Sequence, residues 1–324
     1  KTLGVEWEEV EKVLQMIALP FPKAAELAKD HRRKVIHTAD KPSILRQTPC
    51  LLFGRRGERV RAPLPELILE RVTAGVFYDV VGGGWAIRED YGRRFEQYCF
   101  RHLSQSLSGL DWEREFKYRK KPNDYDTPDI LCSRNGSISA VVECKATRMS
   151  QQAMFGLNPI EERGYKDIVK AIFQLWRFFS HCRRGYVGKA LDLDSVGVVL
   201  TLDNWLTMAT SLRNQVLADA KKMASERDPE ISELDKKPIV FAAVPDLEHM
   251  LSTAKESTFL ETLKQIRTEK YEGWRLDSVY NDITMDEEHS KRIYPFTEEL
   301  ADLLPWWGGL NEERETEPED SATT

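Results

Sequence analysis

The stretch Thr127–Thr147, TPDILCSRNGSISAVVECKAT, constrains this chain more than any other. Asn135-Gly136 stands between two short runs that can form strands, and both residues tolerate the positive φ that a tight turn requires. The spacing predicts an antiparallel hairpin. Its first strand covers Asp129–Ser133, and its second covers Ser137–Ala146, which is rich in Val, Ile and Ala. Side chains alternate along a strand, so Glu143 and Lys145 are expected to share one face. Ile138, Ala140, Val142, Cys144 and Ala146 are expected on the other, and all are apolar. An acid and a lysine near the end of an otherwise buried strand are costly unless they are paired or used.

Asp129, Glu143 and Lys145 therefore form the candidate site. Mg²⁺ and similar hard cations take one or two carboxylates and leave their other positions to water and substrate phosphate. Asp129 and Glu143 supply such a pair. Lys145 can orient or deprotonate an attacking water, and it can balance charge on a phosphate. This is the residue set of a divalent-metal phosphodiesterase. The plainer alternative is a same-face ion pair on an edge strand.

Pro128-Asp129 followed by Glu143-Cys144-Lys145 resembles the signature of the PD-(D/E)xK nucleases, the restriction-endonuclease-like superfamily. The resemblance implies an α/β fold with a three-layer α/β/α core, ordered helix, three strands, helix, strand. Residues 91–107 read as the first helix and Trp112–Tyr118 as the first strand. The two motif strands follow, then a helix over Asp167–Arg184 and a buried strand over Ser195–Leu202. The resemblance covers residues 90–205, about a third of the chain.

The resemblance also implies roles. Asp129 and Glu143 are the implied metal ligands, with the backbone carbonyl of Cys144 beside them, and Lys145 is the water-positioning cation. Glu96 shares a helical stripe with Phe100, Leu103 and Leu107 and is the implied additional acid of the metal shell. Gln174 is the implied positioner of substrate or water. Phe178 follows it at four residues where some subfamilies carry Tyr, a departure that leaves the subfamily open. In the same helix Ile168, Ile172, Leu175, Trp176 and Phe179 mark a buried face, and Lys170, Gln174, Arg177 and His181 mark a second stripe. The implied activity is Mg²⁺- or Mn²⁺-dependent endonuclease cleavage of phosphodiester bonds, in DNA, as a restriction or phage-defence effector. Two alternatives stand beside it. One is a non-catalytic nucleic-acid-binding or assembly subunit that keeps the fold. The other is an enzyme of different chemistry, built around Gly82–Gly84 and Pro305–Gly309.

Net charge is −6, but its distribution is uneven. Lys117, Arg119, Lys120 and Lys121 form a basic cluster just before the motif, and Lys170 and Arg177 lie on the helix after it. These six are the candidate nucleic-acid contacts, because affinity follows local phosphate neutralisation and not the total charge. Solvated faces are the competing reading. Acidic residues concentrate in the tail, NEERETEPED. Five cysteines without C-x-x-C spacing predict a reducing, cytoplasmic setting and argue against disulfides or zinc. No apolar run approaches the roughly 18 residues of a membrane helix. The expected organisation is a mostly helical extension over 1–90, a nuclease domain with helical additions over 91–310 and a disordered acidic tail over 311–324. The expected partners are DNA and either a second copy of the chain or another protein of a larger system.

Overall fold

The structure is a computed structural model of the 324-residue chain. It describes residues 6–34, 43–148, 160, 163–204, 210–286 and 290–299. The fold is mixed α/β, and the chain divides into two compact units. The expected acidic tail and Pro305–Gly309 lie outside the described residues.

The first unit comprises residues up to Arg88 and from Phe296 onward. It holds α1 (Trp7–Ile17), α2 (Phe21–Lys34), α3 (Glu66–Val72) and α4 (Val76–Gly82). It also holds a three-stranded sheet of β1 (Ala18–Pro20), β2 (Cys50–Phe53) and β3 (Arg59–Arg61). Ile17, Ala18 and Cys50 form its small core. The apolar run and three glycines of Val76–Ile87 predict a strand and a turn, but the segment is instead the helix α4 followed by the start of another.

The second unit runs from Glu89 to Pro295. Its five-stranded sheet has the order β10 (Ile239–Ala243), β9 (Ala190–Thr201), β8 (Ser137–Lys145), β7 (Ile130–Arg134), β4 (Asp111–Arg114). β4, β7 and β8 pair antiparallel, whereas β8, β9 and β10 pair parallel. A parallel neighbour needs a long crossover. Between β8 and β9 that crossover contains α6 (Arg163–Arg183). The first helix of this unit is α5 (Trp85–Ser106), and α7 (Thr210–Arg227) to α10 follow β9. α8 (Val244–Leu251), α9 (Glu256–Gln265) and α10 (Leu276–Ile283) pack on one another after β10. The first five residues expected in the Trp205–Ala224 helix lie outside the described residues.

The predicted hairpin joins β7 to β8. Asn135 (φ 53°) and Gly136 (φ 78°) are both left-handed, and Arg134 pairs with Ser137 across the two-residue turn. One detail differs from simple alternation. Cys132 pairs with Ala140 but Ser133 pairs with Ile138, so Ser139 is an inserted bulge residue. The bulge changes the parity of the strand. Ile138 joins Val141 and Leu131 in the core against α6, not Ala140 and Val142.

The expected first strand, Trp112–Tyr118, is two strands. β4 ends at Arg114, and Lys117–Lys120 (β5) pairs with Asn123–Asp126 (β6) in a separate ribbon. The break is held across the chain: the Glu115 amide donates to the Asp129 carbonyl at 3.0 Å, and the Phe116 amide donates to Thr127 Oγ1 at 3.1 Å.

Thirteen of the twenty-one residues of α6 are buried, so the helix is covered on more than its sheet-facing side. Ile168, Ile172, Leu175, Trp176 and Phe179 are all buried. Val216, Ala220 and Ala224 of α7 close on it. At Gly197 of β9, a Cβ would come within 2.8 Å of Ile239 Cδ1 and 3.1 Å of Leu175 Cδ1, so only glycine lets strand and helix approach this closely. Among the described residues no helix is long and apolar enough to cross a membrane.

His181 does not lie on an exposed polar stripe. It is fully buried and sits edge-on to Tyr118, Tyr125 and Tyr186. Its Nδ1 is 2.8 Å from the Tyr118 hydroxyl. Burial, aided by the positive charges of Lys120 and Arg184, pushes its pKa down to about 4. The folded state therefore holds this imidazole neutral, and its contribution is complete above the unfolded value near 6.5. That contribution is lost as pH falls through about 4. Thermal melts between pH 7 and pH 4 should show a loss of about 2–3 kcal/mol that His181→Gln flattens. A pH profile identical in wild type and variant would exclude this role for His181.

Candidate active site

The hairpin register brings the acids together. Asp129 lies one residue beyond the Ile130–Val142 pair and so stands beside Glu143. Its Oδ2 accepts from the Cys144 amide at 2.6 Å, which carries the strand pairing one step past the end of the backbone ladder. Glu143 is only 2 % exposed. Its Oε1 accepts from Lys145 Nζ at 2.6 Å, while its Oε2 is buried with no hydrogen-bond partner. A buried acceptor left without a partner is uncommon and costly.

The electrostatics follow from this crowding. Burial, and then the negative charge of Glu143, push the Asp129 carboxyl well above its ordinary range. Lys145 and the Cys144 amide pull the other way without reversing the shift. Burial also lifts Glu96 on α5, with Lys145 opposing and Glu115 and Glu143 adding to the rise. Burial alone would lower the Lys145 ammonium, but Glu143 and Asp129 outweigh it and hold it above its ordinary value. Asp129, Glu143, Lys145 and Glu96 thus occupy one electrostatic neighbourhood drawn from α5, β8 and the turn before β7.

Glu115 belongs to the same neighbourhood and carries no sequence signal of its own. Its carboxyl is raised by burial, then by Asp126 and Glu143. The strand break that directs it there depends on bonds to Asp129 and Thr127, which no local pattern announces. Cys144 turns its thiol to the opposite face, where it meets Cys99 of α5. Its N–H points toward Asp129. The N–H and C=O of one strand residue share an edge, so its carbonyl lies on that side too.

Gln174 is not in contact with the acid pair. It lines a neighbouring cavity with Glu115 and Arg177, and its Oε1 is buried without a partner. Lys117 and Arg119 stand on exposed β5, paired with Asp126 (3.0 Å) and Asp124 (3.7 Å) of β6. Lys120 is paired with Glu230 at 2.7 Å. Lys121 and Lys170 are exposed.

Two observations bear on a cation. The orphaned Glu143 Oε2 and the mutual repulsion of Asp129 and Glu143 are both relieved by a divalent ion between them. Hard oxygen donors of this kind suit Mg²⁺ or Mn²⁺. Against this, among the described residues no group of three or more His, Cys, Asp or Glu side chains is poised to hold a metal. Two carboxylates plus water and substrate oxygens are still a sufficient Mg²⁺ shell. Comparison with protein-family models, curated proteins and solved structures gave no match.

A carboxyl whose folded pKa is raised favours the folded state fully below its unfolded value near 4, and that advantage is lost as pH rises through the folded value. Ionised Asp129 is therefore a destabilising group in metal-free protein at pH 7. Asp129→Asn keeps an acceptor for the Cys144 amide and removes the charge. In EDTA at pH 7 it should stabilise the protein by roughly 1–2 kcal/mol, and the gain should vanish near pH 3. A destabilised variant at pH 7 would show that the carboxylate is held by attraction, not crowded by repulsion.

Proposed function

We propose that the Glu89–Pro295 unit is a metal-dependent phosphodiesterase of the PD-(D/E)xK type, acting on DNA. The observation that carries this reading is the meeting of Asp129, Glu143 and Lys145 at one corner of the sheet, with a Glu143 oxygen buried and unpartnered. α5 and α6 on opposite faces of the sheet, the first meeting Cys144 and the second Val141, support the three-layer core that the motif implies.

Asp129 and Glu143 would hold Mg²⁺ or Mn²⁺, with the Cys144 carbonyl on the same edge and Glu96 in the outer shell. The ion supplies Lewis-acid charge for a phosphoryl oxygen and acidifies a water, so no side-chain nucleophile is required. Lys145 is held as a hydrogen-bond donor by Glu143. Its ammonium orients the attacking water and offsets the negative charge that grows on the phosphoryl group. Burial raises the carboxyls of Glu96 and Glu115, which share the electrostatic neighbourhood of Glu143 and Lys145. A restriction or phage-defence role rests on analogy with such nucleases alone.

The lack of a ready three-ligand cluster favours one competing reading, a DNA-binding subunit without catalysis. Supercoiled plasmid separates the two. The nuclease reading expects nicking or linearisation with Mg²⁺ or Mn²⁺, none in EDTA, and losses of about 10³-fold or more in Asp129→Ala and Lys145→Ala. Calorimetry should show Mn²⁺ binding abolished by Asp129→Ala with Glu143→Ala. Cleavage that survives either single substitution would remove these residues from the mechanism.

A further inference from the structure

Beside the acid corner lie two cavities of about 460 Å³ each, and they share Tyr125 and Arg177. One is also lined by Glu115, Gln174, Asp124 and Asp126, the last two paired with Arg119 and Lys117; the other is also lined by Lys120, Phe173, Arg227, Asp228 and Glu230, the last paired with Lys120 and Arg184. Either volume is enough for a nucleotide-sized group. Arg177 stands at their junction on α6, one turn after Gln174.

Arg177, like Arg227 of the same cavity, differs from the paired cations around it. Lys120 and Arg184 are tied to Glu230, and Arg183 is tied to Asp235. Among the described residues no carboxylate stands within ion-pair distance of Arg177. Its guanidinium lies 5.1 Å from the Tyr125 ring centre and 5.4 Å from that of Phe173. Contact with two rings fixes its plane and leaves its edge for hydrogen bonds. Its Nε is nevertheless buried with no hydrogen-bond partner, and so is the Gln174 Oε1. Most buried polar atoms are partnered, so the orphaned Arg177 donor points to an acceptor from outside the chain; Gln174 can meet the same acceptor only through its amide NH₂, since its Oε1 accepts. A fixed guanidinium fork with free donors selects an oxyanion, and a phosphate above all. Glu115 lines the same cavity and lies in the electrostatic neighbourhood of Glu143 and Lys145, so the site adjoins the acid corner.

We propose that Arg177, braced by Tyr125 and Phe173 and assisted by Gln174, seats a phosphate group of the substrate strand next to the one being cut. The identity of the ligand as a polynucleotide rests on the phosphodiesterase reading, whereas the oxyanion site itself does not. The phosphate is either an internal one or one that ends the strand, and binding experiments distinguish these.

Fluorescence anisotropy in EDTA with short single-stranded oligonucleotides, 5′-phosphorylated or 5′-hydroxyl, tests the site without the metal. Arg177→Ala should weaken binding about tenfold and reduce the slope of log affinity against log salt by about 0.7. Arg177→Lys keeps the charge and the aliphatic stem, so it should restore the slope but not the full affinity. An effect confined to the 5′-phosphorylated strand marks a terminal-phosphate site. An equal effect on both strands marks an internal one. Wild-type affinity for both strands in folded Arg177→Ala, or in Arg177→Lys if the alanine variant does not fold, overturns the proposal. Metal-dependent cleavage with binding indifferent to Arg177 would remove this site and leave the nuclease reading intact. Arg177-dependent binding without cleavage by wild type would do the reverse.

Discussion

The bond from the Cys144 amide to the Asp129 carboxylate ties β8 to the residue just before β7, and the whole candidate site depends on it. It exists because the Asn135-Gly136 turn fixes which residues face each other across the hairpin. A slip of one residue would turn Glu143 and Lys145 toward α5 and place Cys144 against α6. The alternation past the Ser139 bulge resists such a slip, because Val141 and Ile138 are both buried in the core under α6. Core packing at one end of β8 thus sets the position of charged groups at the other.

α6 is the second organising element. The sheet covers one side, α7 another, and the β5–β6 ribbon is fastened to its C-terminal end through Tyr118 and His181. What remains is a narrow strip where Gln174 and Arg177 emerge half-buried. A helix enclosed this far has rigid side chains on the strip that is left. That rigidity is what a site needs if it is to hold a planar guanidinium against two rings.

The parts legible in the sequence were those set by local chemistry. The Asn-Gly turn, the apolar periodicity of α6 and the buried run Ser195–Leu202 in β9 each carry their own signal, and each forms the element it predicts. The parts that were not legible depend on distant partners. Nothing in ISA announces the bulge at Ser139, since its cause is the fit of Ile138 into the α6 core. The chain turns away at Glu115 because Asp129 and Thr127 hold it there. His181 shares the spacing of Gln174 and Arg177, yet it is buried because a ribbon more than fifty residues earlier folds over it. Likewise KYRKK reads as one basic cluster, but Lys117, Arg119 and Lys120 each meet a different acid.

The balance of charge at the acid corner bears on why such a corner exists. Asp129, Glu143, Glu96 and Glu115 lie within mutual electrostatic reach, and Lys145 is the cation at their centre. Four carboxyls surround one ammonium, and burial first, then the neighbouring negative charge, raises three of the four above their ordinary range. Buried ionic groups rarely stabilise a fold better than apolar groups of the same size. A corner that served only to end two strands would do as well with apolar residues at Glu143 and Glu96. Local choices that work against stability tend to sit at functional sites. On the proposed phosphodiesterase reading, a divalent cation would balance this excess charge and the ammonium beside it would face a phosphate.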